Sequence, residues 1–239
     1  LRLVLAVLVT VPFVAAAASP PDLFADEPPR FAPGEGTPVS PRVGRRNPED
    51  EEMPPAMWVV LVVLQGVTAA TFLALGAVVG SYLNVVAYRL PRGMSVFSPP
   101  SSCPECGSRI EPRDNIPILG WWMLGGRCRQ CRSPISIRYP IVEGVLGAAF
   151  LWFLFLQILS GGAVFPTRSV YHYTGVVWTI FYTKWDLISL YAYHMLLVSG
   201  TASLCLIEID GERPPRILWI GLLVLGMACV AAVPYLHPL

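Results

Sequence analysis

The sequence predicts an all-α polytopic membrane protein with one small loop domain on its cytoplasmic side. Three observations predict it. Only 14% of the 239 residues are charged, whereas a water-soluble globule carries roughly 25%. The hydrophobic residues, 54% of the chain, are gathered into long uncharged runs. Between two of these runs lies a stretch rich in arginine that also holds two pairs of cysteines. The net charge of +1 offers no basic field for nucleic acid, so the partner that composition demands is the lipid bilayer.

The uncharged runs are Leu3–Pro21, Met53–Tyr88, Gly144–Thr167, Leu187–Ile207 and Ile217–Leu239. A helix that crosses a bilayer needs about 20 mostly apolar residues, and the last four runs meet that length. The first run differs. Arg2 followed by LVLAVLVTVPFVAAAAS has the charge, apolar core and small residues of a secretory signal, with an uncleaved signal anchor as the alternative. Residues 20–56 hold ten prolines and the acidic run Glu49–Glu52. A segment with no apolar periodicity cannot offset its ordering entropy, so a disordered linker is expected there.

Orientation follows from arginine placement. Eight arginines lie between Arg89 and Arg138 (Arg89, Arg92, Arg109, Arg113, Arg127, Arg129, Arg132 and Arg138) against three acids, Glu105, Glu111 and Asp114. The next loop holds only Arg168 and Lys184. The positive-inside rule puts the arginine-rich loop in the cytoplasm. The organisation expected is a signal-like segment over 1–19, a proline-rich linker over 20–56 and a transmembrane helix over 57–88. The cytoplasmic loop follows over 89–139, then a helix over 140–160 and an outer loop over 161–186. Two helices joined by an acidic inner turn fill 187–239. No repeat is visible at solenoid periods.

Within the loop, Cys103-Pro-Glu-Cys106 and Cys128-Arg-Gln-Cys131 are two C-x-x-C pairs separated by 21 residues. Each pair makes a tight turn that aims two thiolates at one point, and two such turns complete a tetrahedral zinc shell. Gly107 is expected to supply the positive φ such turns use. Arg109, Arg127, Arg129 and Arg132 are expected to favour thiolates over thiols. Stable disulfides do not suit the cytoplasm, and a redox site needs only one pair. A closed four-sulfur site has no open coordination position, so the zinc is structural: it clamps a loop too small to fold alone. Cys205 and Cys229 lie inside apolar spans and read as small buried hydrophobes.

The run Gly80-Ser-Tyr-Leu-Asn-Val-Val-Ala-Tyr-Arg-Leu-Pro91 leads into the first cysteine pair. Asp114-Asn-Ile-Pro117, Gly126-Arg-Cys128-Arg-Gln-Cys131 and Pro134-Ile-Ser-Ile-Arg-Tyr-Pro-Ile-Val-Glu143 follow. Over about residues 75–148 this resembles the amino-terminal region of the type IV prepilin peptidases, and Leu204–Ile217 matches more loosely. The resemblance implies a bacterial inner-membrane enzyme that removes the leader of type IV prepilins or type II secretion pseudopilins. It further implies N-methylation with S-adenosylmethionine and service to a pilus or secretion apparatus. The family cuts with two aspartates, the first in a segment like I-D-x-D-x-x-x-x-P and the second in a G-x-G-D. Two carboxylates a few ångströms apart have diverging pKa values, so that one can activate water while the other polarises the carbonyl.

Here the first segment reads Ile207-Glu208-Ile209-Asp210-Gly211-Glu212-Arg213-Pro214-Pro215. Aligning the prolines puts Glu208 at the catalytic position and Asp210 at the second acid, and the resemblance does not choose between them. No G-x-G-D follows. Two expectations stand: the chain is part of a longer frame that supplies the second aspartate, or it is a non-catalytic zinc-stabilised scaffold of a pilus or secretion system. Glu143, beside Arg138 and Tyr139, is expected to anchor the loop, with help in binding a cofactor as the alternative. His194 is expected to be hydrogen-bonded within the bundle, with a proton relay as the alternative. Trp121 and Trp122 suit an interfacial belt, and Val170–Trp185 is expected to lie along the outer surface.

Overall fold

The computed structural model describes residues 54–163, 175–177 and 184–232. The signal-like segment, the linker up to residue 53 and most of the outer loop, including much of Val170–Trp185, lie outside the described residues. Among those described the architecture is helical, with only two isolated backbone bridges, Ser102 to Arg109 and Arg127 to Pro134.

The first helix, α1, spans Pro55–Arg89. It begins two residues earlier than the sequence predicts and takes Pro55 and Ala56 from the expected linker. The reason is local: proline at the first helical position has the right φ and lacks an N–H that would be unsatisfied there anyway. At 35 residues the helix is ~52 Å long at 1.5 Å per residue, more than a hydrocarbon core of about 30 Å needs. It ends in a 3-10 turn, Leu90–Arg92, closed by Gly93 at φ 66°. A second 3-10 turn, Pro112–Asn115, and the short helix α2, Leu119–Met123, lie within the loop. Helix α3, Arg138–Phe153, widens into a π-helical turn over Leu154–Leu159. Helices α4, Trp185–Ile209, and α5, Arg216–Ala232, complete the described fold.

Three of these segments are long and apolar enough to cross a membrane: Pro55–Arg92, Arg138–Leu159 and Trp185–Ile209. The expected fourth span begins with α5, whose described part is shorter than that requirement, and residues 233–239 lie outside the described set.

Helices α1 and α3 run antiparallel and touch through glycine. A Cβ on Gly80 would stand 2.8 Å from the Cα of Glu143, and one on Gly76 would stand 2.8 Å from the Cα of Gly147. From the other side, a Cβ on Gly147 would meet the carbonyl oxygen of Leu73 at 2.9 Å. Gly76-Ala-Val-Val-Gly80 is a G-x-x-x-G stripe. Lipid gives helices no hydrophobic reason to associate, so close backbone approach at small residues and dispersion contacts hold the pair. Helix α4 closes the core with Tyr191. Its ring lies edge-on to Phe72 and Phe150, with centroids 5.4 and 6.4 Å away, and its hydroxyl donates to the Phe150 carbonyl at 3.0 Å. Around it Leu83, Val142, Leu146, Met195 and Ile207 are buried. Helix α5 meets α4 where Leu222 covers Gly200.

The π-helical turn places Gln157 against α4. Its Nε2 lies 3.1 Å from Nδ1 of His194, which is also 2.9 Å from the Leu190 carbonyl. His194 is thus hydrogen-bonded within the bundle, as expected. Cys205 is only half-buried, a correction to the expectation of full burial; the side chain of Cys229 lies outside the described set.

Candidate functional site

The loop between α1 and α3 contains one structural unit twice. In the first copy Cys103 N–H donates to the Ser108 carbonyl, Gly107 N–H to Cys103, and Ile110 N–H to Ser101, at 2.9, 2.9 and 3.0 Å. In the second, Cys128 N–H donates to Ser133, Arg132 N–H to Cys128, and Ile135 N–H to Gly126, at 2.8, 3.0 and 2.7 Å. Every position is shifted by 25 residues (128 − 103), and so are the two bridges, Ser102 to Arg109 and Arg127 to Pro134. The repeat is written in the sequence as C-x-x-C-x-S-x-I, from Cys103 to Ile110 and from Cys128 to Ile135. It is too short to register as a solenoid.

Each knuckle needs a left-handed residue after its second cysteine. Gly107 takes φ 69°, as expected, and the matching position in the second copy is Arg132 at φ 61°. Because each knuckle curls the same way, one cysteine of each pair is buried (Cys103 and Cys128) and one is exposed (Cys106 and Cys131). All four sulfur atoms lie within 4.8 Å of one another, and Cys103 Sγ is 3.8 Å from Cys131 Sγ. Four sulfurs at about 2.3 Å from one ion define a tetrahedron with edges of about 3.8 Å. The donor set therefore fits a four-coordinate metal ion.

The Cys103 thiolate is favoured by hydrogen bonds. Backbone N–H groups of Cys106 and Glu105, with the Ser133 hydroxyl, pull the Cys103 thiol down to about 6 against the opposing effect of desolvation. Ser108 Oγ lies 3.0 Å from Cys106 Sγ, and Ser133 Oγ lies 3.1 Å from Cys131 Sγ. Arg129 is engaged elsewhere. Its Nε and Nη2 form a fork on Asp114 at 2.7 and 2.6 Å, on a carboxylate only 4% exposed. That hydrogen bond and charge hold the Asp114 carboxyl below the usual range and raise Arg129. The pair ties the second knuckle to the 3-10 turn.

Two further contacts seat the loop on the membrane helices. The Trp121 indole donates to the Ile135 carbonyl at 3.0 Å and lies against Gly126, where a Cβ would stand 2.8 Å from the ring. Glu143, 6% exposed in α3, accepts the Ile118 N–H at 2.6 Å. Ile118 has φ 61°, a conformation uncommon for a β-branched residue. Glu143 thus has the anchoring role expected of it.

At the same end of the bundle α4 stops in a Schellman turn. Glu212 N–H donates to Ile207, Gly211 N–H donates to Glu208, and Gly211 takes φ 75°, the pattern that glycine permits after a helix. Arg138, the first residue of α3, pairs with Asp210, and Arg92, just beyond α1, pairs with Glu212 at 3.0 Å. Arg92 is fixed in turn by donation to the Tyr88 carbonyl at 2.6 Å and by stacking over the Tyr88 ring. Both ends of the cysteine loop therefore grip the acidic turn. Glu208 is exposed, and among the described residues no ion pair includes it. Residues two apart do not face each other on a helix, so Glu208 and Asp210 do not form a dyad with one another.

Sequence reading missed the G-x-x-x-G stripe, the Asp114–Arg129 fork and the two arginine clamps. The stripe carries its own signal in the spacing of Gly76 and Gly80. The fork and the clamps join residues far apart in sequence and carry none.

Residues 74–157 match the family model described as "Bacterial Peptidase A24 N-terminal domain". Among curated proteins, the chain is 50% identical over 82 residues to the "Prepilin leader peptidase/N-methyltransferase" of Myxococcus xanthus, covering 34% of this chain and 24% of that one. It is 31% identical over 170 residues to the protein of the same name from Pectobacterium carotovorum, covering 62% of this chain and 53% of that one. The Pseudomonas aeruginosa protein of that name is 31% identical over 176 residues, with 64% and 51% covered. The chain spans between about a quarter and about half of the length of these relatives. No solved structure matches. The matched stretch takes in the glycine stripe, both knuckles and Glu143, and it agrees with the extent of the resemblance read from the motifs. Through these residues the chain is similar to the amino-terminal domain of the prepilin leader peptidases.

Proposed function

We propose that this chain is the amino-terminal, membrane-embedded part of a prepilin leader peptidase, held in the bacterial inner membrane with its metal loop in the cytoplasm. The observation that carries the reading is the match of residues 74–157 to that domain, in relatives named prepilin leader peptidase/N-methyltransferase. The cytoplasmic side follows from the eight arginines of the loop. The substrates are prepilins or pseudopilins, presented laterally from the bilayer, and the partners are a pilus or type II secretion apparatus. Methylation with S-adenosylmethionine is supported by the relatives' names, and no residue of the described fold is assigned to it.

Zinc suits the four-cysteine site by ligand type and spacing. It would be held by Cys103, Cys106, Cys128 and Cys131 and would supply a closed structural clamp with no part in the chemistry. The clamp, the Asp114–Arg129 fork and the Glu143 anchor make the loop one body. Arg92 and Arg138 connect that body to the acidic turn. Glu208 is the acid we assign to water activation or carbonyl polarisation, because it matches the first acid of the family segment and is in no described ion pair. Asp210 is the positioning acid, held by Arg138. An aspartic mechanism needs a second carboxylate, and Asp210 does not face Glu208.

The test uses the full native reading frame co-expressed with its own prepilin, with Glu208→Gln and Asp210→Asn assayed for leader removal. Glu208→Gln should abolish cleavage, and Asp210→Asn should reduce it while leaving membrane insertion unchanged. Unchanged cleavage in both variants removes this turn from the mechanism. A scaffold for the pilus or secretion apparatus predicts the same fold and metal content with no cleavage by the native protein. The pairing of Asp210 with Arg138 is the observation that favours this second reading.

A further inference from the structure

We propose that α2 is an interfacial element whose Leu119, Trp122 and Met123 side chains insert into the leaflet from which the loop emerges, so that the metal loop lies against lipid. The proposal rests on exposure, depth and continuity, and it is independent of the proposed reaction.

Exposure comes first. Leu119, Trp122 and Met123 are 57, 78 and 66% exposed, and positions i, i+3 and i+4 form one face of a helix. The opposite face is occupied. Gly120 packs on the backbone of Asp114, and Trp121 lies on the second knuckle through Gly126 and Ile135. The sequence reading treated Trp121 and Trp122 alike; the structure gives one to the knuckle and leaves the other outward. Burial of large apolar side chains of this kind is favourable relative to exposure, and a bilayer supplies that environment.

Depth can be measured along two helices. Arg138, Arg92, Asp210 and Glu212 form a charged ring that marks the polar boundary. Glu143 lies five residues into α3 from Arg138, or ~7.5 Å at the helical rise. It also touches α1 at Gly80, nine residues before Arg89, or ~13.5 Å from that end. Glutamate side chains on helices lean toward the amino terminus, so the Glu143 carboxylate reaches back toward the charged ring. The backbone of Ile118 is fixed to that carboxylate at 2.6 Å. The start of α2 is therefore pinned within the first ~7.5 Å inside the polar boundary, in the layer where interfacial helices bury their apolar faces.

Continuity identifies the occupant. Ile141 and Val145, four residues apart on α3, are 53 and 49% exposed, the surface a spanning helix turns to lipid. The start of α2 is held at the level of these residues, around the other side of α3, since its tether Glu143 lies two residues from both Ile141 and Val145. Arg127 flanks α2 and is exposed, Arg113 on the other side is paired with Glu111 at 2.8 Å, and tryptophan prefers the headgroup layer.

The experiment reconstitutes the full protein in phosphatidylethanolamine/phosphatidylglycerol vesicles with a nitroxide attached through a non-natural amino acid at 119, 122 or 123, one position at a time. Power saturation then compares collision with oxygen, which concentrates in lipid, and with a water-soluble nickel chelate. Labels at 141 and 109 serve as lipid and water references. The expected result is an oxygen-to-nickel ratio at 119, 122 and 123 close to that at 141 and severalfold above that at 109. A ratio like that at 109 means the face stands in water, and protection from both reagents means protein covers it. Either result overturns the proposal. If a label at 122 blocks folding, 119 and 123 give the same reading independently.

Discussion

Replacing Glu143 with leucine tests how the loop is fastened to the bundle. The carboxylate is 6% exposed and accepts one backbone hydrogen bond, from Ile118 at 2.6 Å. A hydrogen bond to a charged group contributes about 1.5–3 kcal/mol, and the donor left behind would be stranded in a poorly hydrated place. Taking about 2 kcal/mol, opening at Ile118 should become roughly 30-fold more frequent, since 1.4 kcal/mol is a factor of ten. Hydrogen exchange in nanodiscs reads this directly: peptides covering residues 116–124 should exchange about that much faster. Leucine suits the interior of α3, so the spanning helices should keep their protection. The effect is local. Glu143→Gln keeps an acceptor and should recover most of the protection, because the lost charge weakens the bond without removing it. Unchanged exchange at 116–124 in Glu143→Leu would refute the anchoring argument, and uniform loss of protection across α1 and α3 would show that Glu143 holds the helix pair instead.

Other perturbations test the rest of the framework. Asp114→Asn should alter the pH dependence of loop unfolding. Arg129 depresses the folded-state carboxyl of Asp114, so its stabilisation is full above the ordinary aspartate value of about 3.9 and is lost as pH falls through the lower folded value. The difference between wild type and variant should therefore shrink at acid pH, as followed by tryptophan fluorescence; a difference that is independent of pH contradicts the pairing. Gly80→Leu puts a side chain where even a Cβ would stand 2.8 Å from Glu143 Cα, and overpacking of this kind costs about 1–3 kcal/mol. Thermal unfolding in detergent should show that loss, and Gly66→Leu, with nothing within 4 Å of its Cβ, is the matched control. Arg132→Gly relieves a left-handed backbone that costs a non-glycine residue about 1 kcal/mol or more. Loop stability at fixed metal should rise, and a fall would mean that the Arg132 charge supports the thiolates after all.

What could be read from the one-dimensional chain was whatever depends on neighbours in sequence. Apolar runs are continuous, so the three long spans were legible to within a few residues. The positions of Pro55 and Arg138 moved helix starts because helix ends depend on single residues. The four-cysteine cluster was legible because each knuckle closes within six residues, and its sulfurs, its positive φ at Gly107 and its spacing are all local. The same locality exposes the repeat from Cys103 to Ile110 and from Cys128 to Ile135 once the serine and isoleucine are read with the cysteines.

Tertiary structure decided what joins distant segments. Arg129 could pair with any acid or lie beside the thiolates, and only the packed loop puts Asp114 under its fork. Trp121 and Trp122 are adjacent and chemically identical, yet one seats the second knuckle and the other points outward, because a five-residue helix shows opposite sides to the loop and to its surroundings. Glu208 and Asp210 likewise share one turn. Arg138 reaches Asp210 from 72 residues away, and that contact, made possible by α3 beginning at the level where α4 ends, gives the two acids different surroundings. Composition and spacing specify each element and its local chemistry; which charges meet is set by the crossing of helices, and the crossing is set by where backbones can approach, at Gly76, Gly80 and Gly147.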